Sequence, residues 1–285
     1  MTTLFTPFVL HGLELSNRIV VAPMCQYSGN DGCASDWHMT HLGALANSGA
    51  ALVVVEATAV ERAGRITHGC LGLYSDACEA AMKRVIDHCR RIGTAKFGVQ
   101  IGHAGRKASS QRPWEGGQAL KADEDPWPAI APSPIAFSDG WPAPREMDAA
   151  DLVRVREAFV SAARRAARIG FDSVELHMAH GYLLHSFMSP ISNRRTDDYG
   201  GSLHNRLRFP LEVARAVREA LPFMPLGARI TGSDWIEGGL TPDDAVIVAK
   251  TLKDAGLDFV CVSSGGLTPD ARMKIEPGYQ LPFAE

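Results

Sequence analysis

Six short apolar runs, separated by helical stretches, constrain this chain more than any other feature. They fall at 17–22, 52–57, 96–101, 173–177, 226–230 and 259–263. Leu52-Val-Val-Val-Glu-Ala57 is a near-continuous β-branched run, the pattern of a strand covered on both faces. The segments between them have helical spacing, as with Met82, Val85, Ile86 and Cys89 in a stretch from 77 to 92 that stops at Gly93. Asp36 is expected to cap a helix running to about Ser48, and Asp148 to cap one over 149–169 that Gly170 ends. A basic amphipathic helix is expected over 203–221, broken by Pro222, and Thr241 should cap a helix that ends at Gly256.

Strand and helix in unbroken alternation argue for a parallel sheet. A doubly wound dinucleotide fold is the main competitor, but no G-x-G-x-x-G follows any of the runs. Polar residues at several strand ends suit a TIM (β/α)8 barrel better, with a hairpin at Phe8 to Leu15 turned by Gly12 placed before it. Only six strand units precede the end at Glu285, so the expectation is one barrel domain, 1–285, cut short at its C-terminus relative to a longer enzyme. The stretch 103–147, rich in Pro, Gly, Trp and charge, is expected to be a functional insertion.

With 29 Lys and Arg against 32 Asp and Glu, the formal charge is −3, and no basic run points to nucleic acid. No apolar run reaches membrane-spanning length and the N-terminus lacks signal-peptide features, so a cytoplasmic protein is expected. The six cysteines form no C-x-x-C pair, which argues against a disulfide framework or an iron–sulfur cluster.

Chemistry-bearing residues gather at the strand ends. Cys25, after the first run, reads as a nucleophile, a polarisable group beside a cofactor, or a small buried hydrophobe. Gln100 ends the third run, and Gly102 and Gly105 beyond it would let backbone approach a ligand closely, or belong to a solvated loop. Arg229 lies within a strand and needs an anionic or carbonyl partner: a ligand, or an ion pair with Glu175 or Glu56. His177 and His180 have three readings: metal ligands, with His38 and His41 as the other candidate pair, ordinary hydrogen-bonded histidines, or paired neutral donors to a substrate oxygen. In the last case Tyr182 could donate a proton.

These residues, in this order, resemble the old yellow enzyme family of FMN-dependent ene-reductases, in the branch of xenobiotic reductases and thermophilic-like enzymes. The likeness is carried by Leu15-Ser-Asn-Arg-Ile19, Ala22-Pro-Met-Cys-Gln-Tyr27, Val55-Glu-Ala-Thr58 and Gln100-Ile-Gly-His-Ala-Gly-Arg106. Glu175-Leu-His-Met-Ala-His-Gly-Tyr182, the stretch from Ser189 to Arg206 and Pro277-Gly-Tyr-Gln280 continue it. The resemblance implies that Pro23, Met24, Cys25, Ala57, Gln100 and Arg229 border FMN and that Tyr27 lines the substrate pocket. It implies that His177 and His180 hold the substrate's oxygen and that Tyr182 is the catalytic proton donor. NADPH or NADH would be the reductant, a small activated alkene the substrate, no metal would be needed, and the enzyme would be a homo-oligomer. The family's cofactor-phosphate loops follow strands seven and eight and match no position here, which leaves a flavin-free, non-catalytic fragment as the alternative. A metal-dependent barrel hydrolase built on His177 and His180 is a more distant one.

Overall fold

The computed structural model describes residues 3–285 and is organised on one parallel sheet. An antiparallel hairpin, β1 (Phe8–Leu10) and β2 (Leu13–Leu15), comes first, turned by His11 and Gly12 at positive φ. Next are β3 (Val20–Val21), α1 (Asp36–Ala46), β4 (Leu52–Ala59), α2 (Asp76–Ile92) and β5 (Lys96–Gly102). They are followed by α3 (Ala149–Ile169), β6 (Ser173–Met178), α4 (Leu183–Met188), α5 (Leu203–Arg206) and α6 (Arg208–Ala220). β7 (Leu226–Thr231), α7 (Pro242–Asp254) and β8 (Phe259–Ser263) follow, and two-residue strands add Leu71–Gly72 beside β4 and pair Ile130–Ala131 with Arg145–Glu146. Strands β3 to β8 pair side by side in chain order, all parallel. This is the order of a (β/α) barrel, curled through six units. The sheet stays open between β3 and β8, where Val20 and Val260 are exposed.

Alternation along the strands sorts side chains to two faces. Val53, Val55, Phe97, Val99, Val174, Leu176, Ala228 and Ile230 form one buried core with the helices. Leu15 joins Leu52 and Val54 in a smaller cluster beside the hairpin. Two aspartates just before strands repeat one device. Asp172 accepts from the Phe97 N–H at 2.8 Å and pairs with Arg90, while Asp258 accepts from the Leu226 N–H at 2.8 Å and pairs with Arg218. Each carboxylate thereby links a strand start to its neighbour and to a helix.

Caps at Asp148 and Thr241 form as expected, each accepting a backbone N–H three residues on, and Gly170 ends α3 in the left-handed region. Three local expectations need correction. Ser35, not Asp36, is the N-cap of α1; its N–H donates to His38 Nδ1 at 3.0 Å, while Asp36 reaches across to Arg84. The first strand shrinks to Val20–Val21 because Asn17 bonds locally to the Ile19 N–H and to the Gly49 carbonyl. The helix expected over 203–221 divides at Leu207, since Pro210 has no N–H for the Arg206 carbonyl and its ring crowds that group. Among the described residues, no helix is long and apolar enough to cross a membrane.

Candidate active site

His177 lies near the end of β6 with its side chain buried. A Cβ at Gly102 would fall 2.9 Å from His177 Cβ, so glycine on β5 is what lets the imidazole's base sit there. His180 and Gly181, both at positive φ, turn the chain back, and Tyr182 starts α4 as its N-cap. The rings converge as a result: His177 to His180 is 5.1 Å between centroids at 83°, and His177 to Tyr182 is 4.7 Å at 84°. Lys107 Nζ donates to the His180 and Gly266 carbonyls at 2.9 Å each and stands 5.1 Å over the Tyr182 ring.

Both imidazoles are neutral at pH 7. Burial, then the neighbouring His180 and Arg229, hold His177 well below 6.5; burial, then Arg229 and Lys107, bring His180 down to about 3. His177 Nδ1 accepts from the Ala179 N–H at 3.3 Å, so its single ring proton is on Nε2. Burial pushes the Tyr182 phenol well above 10, and it keeps its proton.

Glu175 shares the inward face with His177, and the register sets Gln100 beside Glu175 and Arg229 beside His177. Gln100 Nε2 donates to Glu175 Oε1 at 2.7 Å. Burial raises the Glu175 pKa while Gln100 and Arg229 act in the opposite direction. Glu56 is engaged by the Gln26 N–H at 2.9 Å and by His38 Nε2 at 3.3 Å. Neither carboxylate forms the ion pair considered for Arg229, whose Nε is buried with no partner among the described residues. A buried guanidinium N–H without an acceptor is costly unless a ligand atom meets it. The N1/C2-carbonyl edge of a flavin, which gathers negative charge on reduction, is such a group, so the residues present fit the ring of FMN.

The remaining predicted residues lie in two places. Ala57 lines one cleft with His177 and Tyr182. Pro23, Met24, Cys25 and Tyr27 form the turn after β3, where Met24 is exposed. Burial, then Cys70 and Glu56, push the Cys25 thiol well above 9, which disfavours the nucleophile reading. Tyr27, at φ 50°, has its carbonyl held by Arg112 Nε at 3.1 Å and its ring 5.8 Å from that of Trp114.

Several site residues were not singled out from the sequence. Cys70 and His103 line the cleft with Tyr182, Lys107 faces the Tyr182 ring, and Ser263 Oγ is 2.8 Å from His180 Nε2. Lys107 follows directly on the Gly105-Arg106 signal, whereas Ser263 carries no local mark. The glycines expected to admit a ligand also serve internal packing, and Gly102 lines the cleft itself. Gly105 lies against Leu183, as Gly102 does against His177, and 102–106 is buried rather than a solvated loop. Among the described residues no group of three or more His, Cys, Asp or Glu side chains could hold a metal ion, and His38 is taken up by Ser35 and Glu56.

The family model described as NADH:flavin oxidoreductase / NADH oxidase matches residues 3–278. An NADPH dehydrogenase of Geobacillus thermodenitrificans (strain NG80-2) is 44% identical over 286 residues, spanning 100% of this chain and 79% of that one. Morphinone reductase in complex with tetrahydroNAD aligns with a TM-score of 0.77 at 28% identity, over 99% of this chain and 77% of that one. Old Yellow Enzyme from Pichia sp. AKU4542 aligns with a TM-score of 0.79 at 27% identity, over 92% and 71%. The chain is therefore an NAD(P)H-dependent flavin oxidoreductase with FMN as cofactor. The chain belongs to the NADH:flavin oxidoreductase / NADH oxidase family, that of the old yellow enzymes.

Proposed function

We propose that the enzyme reduces the C=C bond of activated alkenes, α,β-unsaturated carbonyl or nitro compounds, in a ping-pong cycle with NAD(P)H. The observation that carries this reading is a pair of neutral imidazoles beside a protonated phenol at the C-terminal end of a barrel strand. Two N–H donors on one carbonyl or nitro oxygen stabilise the negative charge that develops there as the β carbon is attacked, and a comparable single donor elsewhere is worth ~3–4 kcal/mol. Neutral rings suit this role, because each offers a donor without requiring a buried charge. Tyr182 holds its proton until the substrate's α carbon becomes a stronger base than phenolate, and then delivers it. Lys107, by tying the His180 carbonyl and facing the Tyr182 ring, keeps donor and acid in register.

FMN, when bound, supplies the hydride and is recharged by the nicotinamide. Arg229 would meet its N1/C2-carbonyl edge, with Gln100 steadied by Glu175 beside it. Pro23, Met24, Cys25 and Ala57 would border the ring, Tyr27 the substrate, and all belong to one FMN-binding domain. Spectral titration with FMN followed by anaerobic mixing tests the reading. The reduced, FMN-loaded enzyme should be reoxidised by a cyclic enone or a nitroalkene. A spectrum that FMN does not change, or reduced enzyme that neither alkene reoxidises, would refute it. Tyr182→Phe should slow the alkene half-reaction by ~10²–10⁴-fold and leave reduction by nicotinamide near wild type.

A further inference from the structure

His180 differs from His177 in how its ring is held. His177 accepts a backbone N–H at Nδ1, whereas His180 has Nε2 against Ser263 Oγ at 2.8 Å. Ser263 ends β8 and belongs to a chain of polar groups. Gln280 Nε2 lies 3.3 Å from Ser263 Oγ, and Ser264 Oγ lies 2.7 Å from Gln280 Oε1. Both serines are buried.

The direction of this chain determines which nitrogen of His180 carries the proton. In one direction Ser264 O–H donates to Gln280 Oε1, Gln280 Nε2–H donates to Ser263, and Ser263 O–H donates to His180 Nε2. In the other, His180 Nε2–H donates to Ser263, Ser263 to the amide oxygen, and the amide N–H to Ser264. Distances separate the two. Hydroxyl-to-oxygen bonds cluster near 2.7–2.8 Å and amide-to-oxygen bonds near 2.9–3.0 Å, with a limit about 0.2 Å longer in each case. The 2.7 Å contact suits Ser264 O–H on the amide oxygen, and the 3.3 Å contact is too long for a hydroxyl donor but near the limit for an amide. With the amide so oriented, a His180 Nε2–H donating to Ser263 would leave the buried Ser263 hydroxyl proton with no acceptor among the described residues, which is costly.

We propose that Ser263, oriented by Gln280 and Ser264, is a positioning residue that fixes His180 as its Nδ1–H tautomer. The two histidines then present different nitrogens as donors, Nε2–H from His177 and Nδ1–H from His180. The inference rests on the reading that the pair donates to a substrate oxygen, and it explains how two imidazoles three residues apart in sequence could both do so. Without the hydroxyl, His180 could place its proton on Nε2 and turn a lone pair toward the substrate.

The test is long-range ¹H–¹⁵N NMR on labelled protein, which reports the tautomer of each histidine whether or not FMN is bound. The expected result is Nε2–H for His177 and Nδ1–H for His180. Ser263→Ala should shift only the His180 signals, and in FMN-loaded enzyme should weaken p-nitrophenol binding about 2- to 10-fold. Ser263→Thr, which keeps the hydroxyl, should restore both. An Nε2–H His180 in the wild type, or His180 signals unmoved by Ser263→Ala, would overturn the proposal. A shifted tautomer with unchanged p-nitrophenol binding would uphold the role of Ser263 and count instead against His180 as a donor to the ligand.

Discussion

Glu61→Gln removes one charge from behind the cleft-lining His103 while keeping the side chain's shape. Glu61 Oε1 accepts from His103 Nε2 at 2.9 Å, and its other oxygen pairs with Arg154 on α3. His103 in turn accepts the Gly105 N–H at Nδ1 and the Leu183 N–H at its carbonyl, at 2.9 Å each, so the carboxylate anchors the segment next to Tyr182. Burial acts to raise the Glu61 pKa, but His103 and Arg154 outweigh it and hold it at about 2 against the usual 4.5. Holding the carboxyl at about 2 rather than 4.5 corresponds to about 3.4 kcal/mol. Because Arg154 is half-exposed and its pairing is screened by solvent, about 2 kcal/mol is the working value. The folded-state pKa is depressed, so this stability is fully present above pH 4.5 and is lost as pH falls toward 2. For a chain of this length, ~2 kcal/mol lowers Tm by ~3 °C at pH 7. Urea denaturation of wild type and Glu61→Gln at pH 7, 5, 4 and 3 measures the gap, which should fall to roughly 40% of its neutral value by pH 3. A gap that stays constant with pH would show that the carboxylate contributes through packing rather than charge.

Three further perturbations address the site itself. With burial bringing His180 down to about 3 and holding His177 well below 6.5, the alkene half-reaction should show no inflection near pH 6.5; one that His177→Ala removes would contradict neutral, non-titrating donors. Gly102→Ala puts a methyl group 2.9 Å from His177 Cβ and should cost ~1–3 kcal/mol of stability while displacing the imidazole, so unchanged stability and p-nitrophenol affinity would argue against that tight contact. Arg229→Met should weaken FMN binding and make the flavin's reduction potential more negative, read by equilibrium titration and a redox indicator dye; an unchanged potential would remove Arg229 from the charge-bearing edge of the ring.

The barrel sheet was legible because its signals are local. Leu52 to Ala57 and Phe259 to Ser263 are apolar runs too short and too β-branched for helices, and both form strands. Asp148 and Gly170 frame α3 through groups within three residues of its ends. Local signals misled where a side chain had a better partner elsewhere. Asp36 looked like a cap but reaches Arg84 on α2, and Asn17 looked like a strand start but bonds to Gly49. Pro210 inside the expected long helix was a visible warning of the break that occurs.

The convergence of His177, His180 and Tyr182 follows from the sequence alone, because a strand end and a glycine turn keep residues this near in the chain within a few ångströms. What surrounds them was decided only by tertiary structure. Lys107 meets the His180 carbonyl, Gln100 meets Glu175, and Ser263 meets the His180 ring across separations of 73, 75 and 83 residues. Parallel pairing lays the C-terminal ends of successive strands side by side, so partners distant in the chain share one rim. Hydrogen bonds of that kind leave no periodicity or spacing to read. The sequence therefore determined which groups could do the chemistry, and the closing of β5, β6, β7 and β8 against one another decided how each is charged, protonated and aimed.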